Sequence, residues 1–165
     1  MKYADFRPLI KTGDLLAFSH TAKGTFYDFQ IHMVRKATES EFSHVGIAYV
    51  ANGRVFILEA IGSGVRMFPL SRYLPFYHVT NPIELSEKAL NWAFETLGAE
   101  YESKLLMLVK SIVNIKLNDN KRFQCSEYVN GIYAENNQFL TDVDTPSAIV
   151  INAISKFGSL SFVED

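Results

Sequence analysis

The chain has 165 residues, with 18 Asp and Glu against 16 Lys and Arg, a formal net charge of −2, 48% apolar residues and 13 Phe. That length is near the commonest size of one domain and the apolar share suffices for a core, which excludes the disordered and disulfide-stapled classes and predicts a single domain over 1–165. No Lys/Arg cluster is present to neutralise phosphates, so nucleic acid is not an expected partner, and one cysteine can build neither an internal disulfide nor a thiolate zinc site.

From the start, Met1 to Ile10 mixes Lys2, Asp5 and Arg7 into short apolar pieces, with no continuous apolar region to act as a signal peptide, so a cytoplasmic location is expected. Thr12-Gly13-Asp14 is turn chemistry leading into a strand at Leu15-Leu16-Ala17-Phe18. Phe26, Phe29, Met33 and Val34 recur at helical spacing and predict a helix from Thr25 to Ala37. Next, the apolar runs Val45 to Val50 and Arg54 to Glu59 flank Ala51-Asn52-Gly53, and Asn-Gly in that setting predicts a hairpin. Positions equidistant from its turn are opposed, which makes His44 and Glu59 near neighbours unless a slip or bulge separates them.

Gly62-Ser63-Gly64 turns the chain into strands at Val65 to Phe68 and Phe76 to Val79, for a sheet of five or more strands, mostly antiparallel. Ser86 caps a helix with the stripe Ala89, Leu90, Ala93, Phe94 and Leu97, ended by Gly98. A further helix is expected from Ser103 to Asn114, and its run Leu105 to Val109 is far too short to span a bilayer, so no integral membrane segment is expected. Asn118 to Lys121 reads as a loop, followed by a helix from Cys125 through Val129, Ile132 and Tyr133. Thr145-Pro146-Ser147 starts a short last helix, and Phe157 to Val163 closes as a strand. The expected class is α+β, a small mostly antiparallel sheet packed against helices.

Cys125 lies in Phe123-Gln124-Cys125-Ser126-Glu127-Tyr128, where a loop becomes a helix. Backbone N–H groups there carry partial positive charge, so they favour a thiolate over a thiol and can receive an oxyanion. Acyl transfer by cysteine needs a thiolate, an imidazole that exchanges protons with it, and a group that orients the imidazole. Cys125, His44 and Glu59 fill these parts, with the Cys125 N–H as an oxyanion donor. Gly46 would expose bare backbone to a substrate, or mark a bulge. Each residue also has a plainer reading: Cys125 as buried filler, His44 as a satisfied strand histidine, Glu59 as a strand-end charge paired with Arg66. His20, His32 and His78 lack the spacing of a zinc site, and no metal or cofactor is expected. Asp14 reads as a turn or capping residue and Glu127 as a helix-dipole partner.

Taken in order, Gly13-Asp14-Leu15-Leu16, Ser43-His44-Val45-Gly46-Ile47, Leu58-Glu59-Ala60, Gln124-Cys125-Ser126-Glu127-Tyr128-Val129 and Thr145-Pro146-Ser147 resemble the circularly permuted branch of the NlpC-type papain-like cysteine amidase and peptidase superfamily. The similarity is to its YiiX-like group, related to lecithin:retinol acyltransferase-like proteins, and spans nearly the whole chain. The resemblance implies a papain-like core in permuted order, with the histidine strand first and the cysteine helix last. It implies Cys125 as nucleophile, His44 as base and Glu59 as third member of a triad, hydrolysing amide bonds of peptides or cell-wall peptides through a thioester acyl-enzyme. No leader or lipidation signal is visible, a departure from envelope members of the branch. Two alternatives share the fold: an acyltransferase or lipid esterase using the same cysteine on lipid acyl groups, and a binding module without chemistry, its groove plugged by Tyr73, Phe76 and Tyr77. Oligomeric state is not legible.

Overall fold

The computed structural model describes residues 1–19, 42–101 and 122–165. The helices expected over 25–37 and 103–114, the apolar run 105–109, the loop 118–121, His20 and His32 lie outside the described residues.

The Asn52-Gly53 signal organises the centre of the sheet. Both residues take positive φ, 50° and 70°, as a two-residue type I′ turn requires. On either side, β2 (His44–Ala51) and β3 (Arg54–Ile61) pair antiparallel from Ala51↔Arg54 to Ile47↔Leu58. Continuing that register sets Glu59 opposite Gly46, two residues from His44, and an even offset keeps both side chains on one face. The next turn carries β3 into β4 (Gly64–Pro69), where Arg66 stands directly opposite Glu59.

With β1 (Leu15–Phe18), β5 (Phe76–Val79) and β8 (Leu160–Val163), these strands form one six-stranded sheet in the order β4-β3-β2-β1-β5-β8, every pairing antiparallel. β1 is inside, buried at all four positions, because both faces of the sheet are covered. Leu15 and Ala17 join one core with Val45, Ile47, Tyr128, Val129, Ile132 and Ile149. Leu16 and Phe18 join another on the opposite face with Phe6, Ile10, Ile57, Leu70 and Phe76. The N-terminal helix α1 (Tyr3–Phe6) thus covers the face that the long helices leave bare.

The helices behind the first core start on capping chemistry. Ser86 Oγ accepts the Ala89 N–H at 3.2 Å to open α2 (Glu87–Glu95). That helix stops at Glu95, short of the expected stripe, because the Thr96 hydroxyl donates to the Trp92 and Ala93 carbonyls and Gly98 turns left-handed to give its N–H to Val65. Leu97 is therefore exposed rather than part of the buried stripe. β6 (Glu100–Tyr101) pairs in parallel with β7 (Arg122–Phe123), which delivers the chain to α3 (Cys125–Glu135). The last helix, α4 (Pro146–Phe157), runs twelve residues and is not short. Its buried Ile149, Val150 and Ala153 extend the first core, and Phe157 packs edge-on against Tyr133 as part of the helix, not the strand. Gly158, at φ 119°, breaks the chain so that β8 starts only at Leu160.

Candidate active site

The start of α3 is set by a capping box. The Gln124 N–H donates to Glu127 Oε2 at 2.7 Å while the Gln124 side chain takes the Glu127 N–H. Glu127 thereby does more than complement the helix dipole. The box occupies the amides of the cap and of the third helical position, and leaves those of Cys125 and Ser126, the first and second, pointing out of the helix end. Further along, Tyr128 Oη donates to the Ala93 carbonyl and Tyr133 Oη to the Gly13 carbonyl, both at 2.9 Å, which pin α3 to α2 and to the entry of β1. Gly131 lets Trp92 lie against the helix, since a Cβ there would sit 2.5 Å from Trp92 Cη2. Cys125 is buried, and Ser126 Oγ is a buried side-chain oxygen without a partner among the described residues.

His44 and Glu59 meet. Nε2 of His44 lies 2.6 Å from Glu59 Oε2, and both side chains are buried. That contact leaves Nδ1 as the ring nitrogen for Cys125, whose side chain interacts with the same imidazole. Burial opposes a charge on His44, but hydrogen bonds and charge from Cys125 and Glu59 outweigh it and raise its pKa to about 9. Burial likewise opposes ionisation of Glu59, yet His44 and Arg66 together bring its pKa below the ordinary carboxylate value. The Phe18 ring, 5.6 Å from the imidazole and 5.2 Å from Tyr73, walls the pair.

Glu59 has a second partner on its other oxygen. Arg66 Nε donates to Oε1 at 2.8 Å, and Arg66 Nη2 donates to Tyr73 Oη at 2.9 Å while the guanidinium lies 4.4 Å over the Phe68 ring. The plain reading of Glu59 as a partner of Arg66 and the reading as a partner of His44 hold together. The signal for Arg66 was in the sequence: Glu59 and Arg66 are equidistant from Gly62-Ser63.

Other expectations change. Gly46 does not expose backbone to a substrate; a Cβ there would lie 2.5 Å from Ile57 Cγ1 and 2.9 Å from the Leu58 carbonyl, so the glycine makes room for the neighbouring strand. Phe76 belongs to the core beneath Phe18, Tyr73 braces Arg66, and Tyr77 packs against Phe42 and Phe162. His78, first considered with His20 and His32, pairs through Nε2 with Asp14 Oδ2 at 2.7 Å. Asp14 is the expected turn residue as well, accepting the Lys11 N–H on Oδ2 and the Asn81 N–H on Oδ1. Among the described residues no three His, Cys, Asp or Glu side chains come together as metal ligands.

No curated protein matches the sequence. Among solved structures, the fold is similar to that of yiiX from Escherichia coli O157:H7, titled a metalloprotein, with a TM-score of 0.56 and 19% identity over 94% of this chain and 89% of that one. The α+β, antiparallel-sheet architecture agrees with a papain-like core. The family described as permuted papain-like amidase enzyme, YaeF/YiiX, C92, matches residues 9–152, from the turn before β1 into the middle of α4. With the histidine strand ahead of the cysteine helix, this chain belongs to the permuted papain-like amidases of the YaeF/YiiX, C92 family.

Proposed function

We propose that the protein is a cysteine amidase that cleaves amide bonds of peptides or cell-wall peptides through a thioester on Cys125, with His44 as proton carrier and Glu59 as its orienting carboxylate. What supports this reading most is that His44 gives Nε2 to Glu59 at 2.6 Å while its ring also interacts with the side chain of Cys125, at the first position of an 11-residue helix. The Cys125 sulfur attacks the amide carbonyl carbon, and the oxyanion is met by the outward amides of Cys125 and Ser126, each worth roughly 3 kcal/mol of transition-state stabilisation by analogy with measured donors. Protonated His44 gives its proton to the leaving amine as the C–N bond breaks. Water then loses a proton to His44 and adds to the thioester, and the acid leaves as the sulfur takes the proton back. Glu59 keeps the imidazole in one orientation throughout and offsets its charge.

The yiiX neighbour is titled a metalloprotein, but among the described residues of this chain no three His, Cys, Asp or Glu side chains converge to hold a metal. The proposed steps pass through Cys125 and His44 alone. Incubation with a panel of N-acyl peptides and intact-mass spectrometry tests the reading. Wild-type protein should release amine and carry a transient acyl mass on Cys125, and Cys125→Ala should do neither; amine release by Cys125→Ala at the wild-type rate would contradict it.

A further inference from the structure

Glu59 is fully buried, has two oxygens, and offers only one of them to His44. A carboxylate with a single partner can rotate about its last torsion and present either oxygen or neither. Here the other oxygen is gripped from the adjacent strand by Arg66, through Nε at 2.8 Å with Nη2 at the same distance. Arg66 is itself fixed at two more points, the Tyr73 hydroxyl and the Phe68 ring, although its side chain is one-third exposed. We propose that Arg66 is a positioning residue for the proposed catalytic imidazole: by holding Glu59 Oε1 it fixes the oxygen that Glu59 presents to His44, and thereby the ring nitrogen that faces Cys125.

An exposed ion pair in this place would contribute little. This pair differs because the acceptor is buried and because its partner on the far side is the imidazole that serves the only cysteine of the chain. The charged and titratable groups around Glu59 among the described residues are His44 from β2, Arg66 from β4, Tyr73 beyond Arg66, and Cys125 of α3 beyond His44. Arg66 is a fork that a lysine cannot reproduce, since Nε and Nη2 converge on one oxygen while Nη2 also reaches Tyr73.

The inference rests on the role proposed for His44 and Cys125, and its test separates the two. Arg66→Met and Arg66→Lys are compared with wild type in the pH profile of kcat/KM and, without any substrate, in the titration of the Glu59 carboxyl by ¹³C NMR. Removing the guanidinium in Arg66→Met should raise the Glu59 titration and the acid limb of activity together by about one pH unit or more, with kcat lowered and KM little changed. Arg66→Lys keeps the charge and loses the fork, so the limb should return towards wild type while kcat stays below it. A Glu59 titration unmoved in folded Arg66→Met, or a loss of activity equal at every pH, would overturn the inference. An enzyme that proves inactive through Cys125 leaves the NMR arm intact, so failure of the proposed chemistry is not mistaken for failure of the Arg66 role.

Discussion

Among the described residues stand two buried histidine–carboxylate pairs in the same sheet region, and their central contacts are nearly the same: Nε2 to oxygen at 2.6 Å for His44–Glu59 and 2.7 Å for His78–Asp14. What surrounds each contact differs. Asp14 spends its lone pairs on the backbone amides of Lys11 and Asn81, and the Phe6 ring stands edge-on to His78 at 4.9 Å. That pair closes a turn and ties the entry of β1 to β5. Glu59 instead shares itself between an imidazole and a guanidinium, and the imidazole has a thiol as its other partner. A His–carboxylate contact is thus not by itself a signature of chemistry; the cysteine side chain beside the imidazole is what makes His44 a candidate proton carrier.

The largest expected effect comes from equivalent substitutions in the two pairs. His44→Gln should lower kcat/KM on a peptide amide by about 10³-fold or more, because glutamine cannot carry a proton. His78→Gln should cost about 1–3 kcal/mol of stability by leaving buried partners unmatched while kcat of the folded enzyme holds. A smaller effect follows from the charge on His44. Its pKa of about 9 in the folded protein exceeds the usual 6.5, so the stabilisation it brings is whole below about 6.5 and is lost as pH rises through about 9. Glu59, lowered in the fold, shows the same interaction from the other side: its contribution is present above the ordinary carboxylate pKa and is lost as pH falls through its folded value. Activity that needs the imidazolium should therefore decline as pH rises through about 9, and the alkaline loss of stability, read from urea midpoints, should disappear in His44→Gln and persist in His78→Gln.

Most of the first pair was legible in the sequence and little of the second was. Asn52-Gly53 fixes a tight turn, and from it the opposition of β2 and β3 follows by counting, which brought His44 and Glu59 within reach of each other. Cys125 declared itself by standing at a helix start. Arg66 was visible only as a competitor for Glu59, because counting from Gly62-Ser63 gives opposition but not the sharing of two carboxylate oxygens between two partners. Asp14 and His78 are 64 residues apart, joined through a β1–β5 pairing that no local turn specifies. Gly46 was misread for a related reason: the side chain filling its space, Ile57, comes from the partner strand, and strand pattern alone does not show which neighbour leans in. The end of α4 was misplaced because Phe157 suits a strand as well as a helix, and its contact with Tyr133 decides for the helix.

In the proposed mechanism His44, and not His78, governs the reactivity of Cys125. Since Cys125 is the only cysteine, the rate of its alkylation by iodoacetamide at pH 7 reads that claim without ambiguity of site. His44→Gln should slow the alkylation by about tenfold or more, and His78→Gln should leave it close to wild type. Equal rates in all three proteins, or the larger loss in His78→Gln, would contradict the claim.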